Sequence, residues 1–139
     1  MLTRFAGFMI VSLLSFASLG CWSGAPDDLP DLGSVEGMVT LDGQPLKNAD
    51  VTFQGPDGRL ASGTTDESGH YELTILNDTR GAVVGENKVF ITTGRSAVDD
   101  SKPETARPET LPAKYHKDST ETRTVAEGAN TFDFVLESK

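Results

Sequence analysis

The chain has 139 residues, with 12 Lys and Arg against 21 Asp and Glu, one Cys and two His. One cysteine excludes an intrachain disulfide and a four-cysteine zinc site, and two histidines leave few nitrogen ligands for another centre, so no metal and no cofactor is expected. The formal charge of −9 argues against a nucleic-acid partner, because affinity for phosphate backbones comes mostly from Lys and Arg.

Residues 1–20 carry one charge, Arg4, then an uncharged apolar run from Phe5 to Leu19 with small residues at Ser18 and Gly20. The run is shorter than the roughly 20 apolar residues that cross a bilayer as a helix, so the segment is expected to be a secretory signal and not a retained span. The only Cys lies at the expected cleavage point, in Ser18-Leu19-Gly20-Cys21. This resembles the lipobox of bacterial lipoproteins, which implies a lipid on the Cys21 thiol. Gly20 and Cys21 match that pattern, while Ser18 and Leu19 stand where it prefers Leu and a small residue. The alternative is plain cleavage that leaves Cys21 a free thiol, and an unpaired exported thiol is unusual. Acyl chains would hold the protein at a membrane by burying methylenes worth about 0.8 kcal/mol each. The expected address is therefore the cell envelope, as a membrane-anchored lipoprotein on the periplasmic or cell-surface side.

Residues 21–33 hold two prolines and three aspartates, Asp27, Asp28 and Asp31. That composition reads as a flexible tether, since it cannot bury enough apolar surface to offset the entropy of ordering. The aspartate spacing does not fit a calcium loop.

Residues 34–139 read as one folded domain of short strands. Val35, Val39 and Leu41 alternate with Glu36 and Thr40, and Ala49, Val51 and Phe53 with Asp50, Thr52 and Gln54. Asp42-Gly43 and Gly55-Pro56-Asp57-Gly58 break the chain between and after them. A third strand covers about 60–65, and Asp66-Glu67-Ser68-Gly69 turns into Tyr71, Leu73 and Ile75. Lys88 to Thr93, Glu121 to Val125 and Thr131 to Leu136 complete seven strands. This spacing over ~105 residues predicts an all-β, antiparallel seven-stranded β-sandwich. A lipocalin-like barrel needs more and longer strands. The Glu121 to Val125 edge is open to a partner strand, with Glu121 and Arg123 discouraging uncontrolled pairing.

Gly37 to Leu46 followed by Ala49 to Phe53, then Thr65 to Leu73, then Gly85 to Ile91, resemble the carboxypeptidase-regulatory-like domains, whose sandwich is transthyretin-like. The resemblance covers Val35 to Leu136, and Asn87 stands where that family usually has Tyr. It implies a small bacterial lipoprotein carrying one such domain, and a fold more than a function. Related enzymes share the architecture. The hydroxyisourate hydrolases use a Tyr-Arg-Gly-Ser-like C-terminal motif that Phe134 to Lys139 lacks. Intradiol dioxygenases bind iron through two Tyr and two His, and this chain has His70, Tyr71, Tyr115 and His116. Each His here adjoins a Tyr, however, and neighbours in a strand point to opposite faces. Tyr71 is expected in the core and His70 on the surface. No zinc-peptidase motif, phosphate loop or triad signature is present. No catalytic residue is expected.

Gly94 to Ser119 is a long connection, and loops of such length are usually functional or disordered. It gathers Leu111, Tyr115 and several cations. The plainer expectation is that Leu111 and Tyr115 cap one end of the core; if the loop is a site, Arg95, Lys114, Tyr115 and Lys117 are the candidate binding residues, suited to an acidic or sugar-like partner. Two functions follow. The first is a non-catalytic envelope lipoprotein whose sandwich serves adhesion, assembly or recognition of an envelope protein or glycan. The second is a small extracytoplasmic hydrolase or metal-dependent enzyme.

Overall fold

The computed structural model describes residues 30–76, 78–96 and 100–139. The signal segment, Cys21 and most of the expected tether lie outside them. Among the described residues the chain is all-β, forming a sandwich of two packed sheets. No described helix is long and apolar enough to cross a membrane.

The first strand, β1 (Leu32–Leu41), begins inside the stretch expected to be tether. Its inward positions alternate as the sequence indicates: Val35 and Val39 are buried, while Ser34, Glu36 and Met38 face out. Gly33 and Gly37 also face in, and Gly37 lets another strand approach. A Cβ there would lie 1.9 Å from the Phe132 carbonyl oxygen. β1 is the spine of the first sheet. Along one side it pairs in turn with β2 (Gln44–Pro45), β5 (His70–Glu72) and β8 (Ala82–Val83), all antiparallel. Along the other it pairs with β11 (Gly128–Thr131) and β12 (Phe134–Leu136), both parallel.

The second sheet runs β10 (Thr122–Val125), β9 (Gly85–Thr92), β3 (Asp50–Gln54), β4 (Leu60–Thr64), β6 (Thr74–Ile75), β7 (Thr79–Arg80). All its pairings are antiparallel. Val51 and Phe53, Val89 and Ile91, and Ile75 point inward to meet Val35, Val39, Tyr71, Phe134 and Leu136. Phe53 packs on Phe132 and Phe134 at ring-centroid separations of 5.9 and 6.3 Å.

Two expectations are corrected. The seven strands become twelve short ones among the described residues, because the chain changes sheets within stretches that read as continuous. Tyr71, Leu73 and Ile75 all face the core, yet β5 pairs with β1 and β6 with β4. The transfer falls at Leu73, whose N–H donates to Val35 at 2.9 Å and whose carbonyl accepts from Gly81 at 2.9 Å. The sheets are also not wholly antiparallel. β11 and β12 follow a crossing from the second sheet and run alongside β1 in its own direction, which needs no hairpin because most of the domain forms the connection.

At the Asp66–Gly69 turn, the Asp66 carboxylate accepts from the Ser68 and His70 N–H groups at 2.9 and 3.0 Å. Gly69 has φ of 80°, which a side chain rarely adopts, and its N–H closes the turn on the Asp66 carbonyl at 3.0 Å.

Candidate functional site

β10 is half as long as β9 and covers it only from Gly85 to Lys88. Beyond that point the edge of β9 is met by the returning loop: Val89 N–H donates to the Glu121 carbonyl at 2.8 Å, and the Ser119 hydroxyl donates to the Val89 carbonyl. The loop reaches this position because Glu109 pins it. The Glu109 carboxylate accepts from the Thr92 hydroxyl, the Thr93 hydroxyl (2.8 Å), the Thr93 N–H (3.2 Å), the Gly94 N–H (3.3 Å) and the Leu111 N–H (2.8 Å). Desolvation works to raise the pKa of this carboxyl, and the hydrogen bonds, led by Thr92, outweigh it and bring it down to about 2.

From that pin the chain drops Leu111 into the core and makes a 3-10 turn over Ala113–Tyr115, with Tyr115 packed against the core. The turn closes through Tyr115 N–H to Pro112 and His116 N–H to Ala113, each 3.1 Å. The Tyr115 hydroxyl accepts from the Glu137 N–H at 2.9 Å. Lys114 Nζ stands 5.0 Å from the Tyr115 ring centroid and donates to the Lys139 carbonyl oxygen at 3.0 Å.

The result is a lateral mouth between the two sheets, a cavity of about 120 Å3. Val89, Ile91, Phe134 and Leu136 form its apolar floor, and Tyr115, Glu121, Arg123 and Asp133 its rim. Arg123 lies 4.8 Å over the Phe134 ring and bonds Glu121 at 2.9 Å, so its charge is held in place at the opening. A small slot with an apolar floor and a polar rim held by hydrogen bonds is suited to binding a single side chain.

Of the four residues singled out from the sequence, Tyr115 lines this mouth, and Lys114 adjoins it only through the Tyr115 ring. Lys117 is exposed on the same turn, with no partner among the described residues. Arg95 is elsewhere, on the outer face of the second sheet. There Arg95 and Arg107 form an isolated antiparallel bridge, and Arg95 Nη2 donates to both oxygens of Asp50 at 2.9 and 3.1 Å. Arg107 Nη2 is 3.6 Å from Asp50, and Arg107 Nη1 donates to the Asn48 carbonyl at 2.8 Å. The Thr64 hydroxyl donates to the same carboxylate at 2.6 Å. This cluster fastens the outgoing limb of the loop.

The histidines and tyrosines weighed as an iron set fall in two separate pairs, His70 and Tyr71 on β5 and Tyr115 and His116 at the 3-10 turn, each side chain with its own partners. His70, on β5, pairs with Glu36 at 3.5 Å. Tyr71 is buried and donates to the Phe132 carbonyl at 2.6 Å. His116 Nε2 lies 3.1 Å from the Leu111 carbonyl and 3.9 Å from Glu109. Among the described residues no three His, Cys, Asp or Glu side chains are grouped to hold a metal.

Sequence reasoning missed Arg123, Glu121 and Asp133 as rim residues, because their meeting depends on β12 lying in the other sheet. It also missed Asn87, which is fully buried and donates through Nδ2 to the Val83 and Gly85 carbonyls at 2.7 and 2.9 Å. An amide inside an alternating apolar strand is the signal that marks it, since such a group is retained where it satisfies buried backbone.

Compared with known proteins, the chain matches no family model and no curated protein. Among solved structures it is similar to that of a DUF3823 family protein from Parabacteroides merdae ATCC 43184, with 15% identity and a TM-score of 0.42. The likeness covers 78% of this chain and 47% of that one, so the chain spans about half the length of the protein it matches.

Proposed function

We propose that this chain is a non-catalytic envelope lipoprotein, exported by residues 1–20 and anchored through a lipid on Cys21, whose sandwich binds a protein or glycan of the cell envelope. The domain type proposed is the carboxypeptidase-regulatory-like, transthyretin-like one, on the resemblance of Gly37–Phe53, Thr65–Leu73 and Gly85–Ile91 to that family. The observation that carries the binding role is the lateral mouth, where Tyr115 and Arg123 stand on the rim of a slot whose apolar floor opens from the core. Support also comes from how the reactive groups nearby are used. Glu109 holds the loop through five hydrogen bonds, and His116 faces a backbone carbonyl.

Two experiments test this. Cys21→Ser is expected to leave the protein exported but no longer partitioning into detergent; unchanged partitioning rejects the lipid anchor. Affinity capture from membrane extract is expected to retain an envelope component with the wild-type chain and to lose it with Tyr115→Ala, while Thr64→Ala behaves as wild type. Capture indifferent to Tyr115, or a stoichiometric metal in the purified protein, overturns the binding reading.

A further inference from the structure

β12 leaves one edge open. Phe132 N–H donates to the Glu36 carbonyl at 2.9 Å and the Leu136 carbonyl accepts from Asp42 N–H at 3.0 Å, so the even-numbered residues of this stretch turn their backbone groups to β1. With a strand period of two, the N–H and C=O of Val135 point the opposite way, toward the unpaired edge beside the mouth. The Val135 side chain is 77% exposed, the most exposed large apolar group among the described residues. One step further on, Glu137 N–H also points outward, and there the Tyr115 hydroxyl occupies the place a neighbouring strand would take. The edge at Val135 adjoins the lateral mouth, whose floor includes Phe134 and Leu136.

We propose that the Val135 edge of β12 is a docking site for an extended segment of a partner protein, one with alternating apolar residues flanked by Lys or Arg. This rests on the binding role proposed above and names the partner's chemistry. Such a segment would exchange backbone hydrogen bonds with Val135, adding a strand to the first sheet. Its residues opposite Phe134 and Leu136 would face the apolar slot, because cross-strand neighbours share a face. Outside, Val135 is flanked at two residues on either side by Asp133, one of whose carboxylate oxygens accepts from the Met38 N–H of β1, and by Glu137, both exposed. Opposite charges facing each other across strands are favourable and like charges are not. The flanks of the partner are therefore cationic. The same pattern disfavours a second copy of this chain, since a two-fold pairing centred on Val135 would set Asp133 against Glu137. The chain's charge of −9 favours encounter with a basic partner. β10, the other edge at this mouth, carries Arg123 paired to Glu121 just before the strand, whereas Val135 itself bears no charge.

The test uses the full chain and synthetic peptides read by fluorescence anisotropy. Lys-Val-Thr-Val-Lys flanked by glycines is the probe, and Glu-Val-Thr-Val-Glu its control. The basic peptide is expected to bind at least about tenfold more tightly than the acidic one. Val135→Pro removes the outward N–H while sparing the β1 ladder, and is expected to weaken binding about tenfold or more. Glu137→Lys leaves the backbone intact and is expected to narrow or reverse the charge preference. In the wild type, the Val135 amide should exchange quickly and be protected by the peptide. Equal binding of the two peptides, unchanged Val135 exchange, or a Val135-dependent dimer overturns the proposal. Where the peptides fail but capture from extract still depends on Tyr115, strand addition falls and the binding role stands; where both fail, both fall.

Discussion

The Tyr71 hydroxyl donates to the carbonyl of Phe132 at 2.6 Å, linking β5 and the β11–β12 junction on opposite flanks of β1. The bond fills a gap in the ladder, because Met38 N–H, the neighbouring donor on β1, turns to the Asp133 carboxylate at 2.9 Å. Tyr71→Phe is therefore expected to leave the fold intact and cost about 1–2 kcal/mol, the value of a buried carbonyl losing its partner. Urea unfolding of the two proteins measures it.

Burial raises the Tyr71 phenol above its ordinary value of 10, with Asp133 adding to the shift and Arg123 opposing it. In alkali the unfolded chain loses this proton while the folded chain keeps it, so stability falls as pH rises above 10. Melting temperatures between pH 9 and pH 11 should decline less in Tyr71→Phe than in the wild type. Parallel curves would show that another group governs the alkaline limb.

Glu109 works in the opposite direction. Its carboxyl is held at about 2 against an ordinary 4.5, so its contribution is complete above 4.5 and is lost as pH falls toward 2. Glu109→Gln should cost roughly 1–3 kcal/mol at neutral pH and flatten the acid limb of the stability curve. Hydrogen exchange at the Gly94 and Leu111 amides should accelerate in the variant, because these amides donate to the missing carboxylate.

Gly37→Ala sets a methyl 1.9 Å from the Phe132 carbonyl oxygen and 2.6 Å from its carbon, both backbone atoms. The strands would have to separate, at a cost of about 3 kcal/mol or more. Gly43→Ala is the control. It has open space around its Cβ and φ of 82°, so only backbone strain of about 1 kcal/mol is expected. Thermal melts that rank the two the other way would contradict the close packing of β1 on the β11–β12 junction.

Asp50 holds two guanidinium groups and the Thr64 hydroxyl. Asp50→Ala is expected to cost about 1–2 kcal/mol, and Arg95→Ala less than about 1 kcal/mol, since Arg95 is exposed and leaves Arg107 still near its carboxylate. Denaturant midpoints measured at low and high salt distinguish them, with the wild-type advantage shrinking as salt rises.

Alternation made β1, β3, β4 and β9 legible, because inward and outward positions depend on each residue's own polarity. It also put Tyr71 in the core. The same signal runs unbroken through Leu73, where the chain leaves one sheet for the other, since both sheets bury the same interior and a residue facing it looks alike from either side. In the candidate site, Lys114 and Tyr115 are sequence neighbours and stay together. Arg95 separates from them because Asp50, 45 residues earlier, draws it to the outer face.

What the sequence determined by itself was the period, the turns at Asp42-Gly43 and Asp66–Gly69, and the set of side chains that fill the interior. These follow from local polarity and backbone preference. Tertiary structure alone decided that β12 runs parallel to β1, that Glu109 gathers the loop, and that Arg123 meets Phe134 above an open slot. Those contacts join residues far apart in the chain, and which strand edges are left unpaired depends on how the two sheets divide the strands between them.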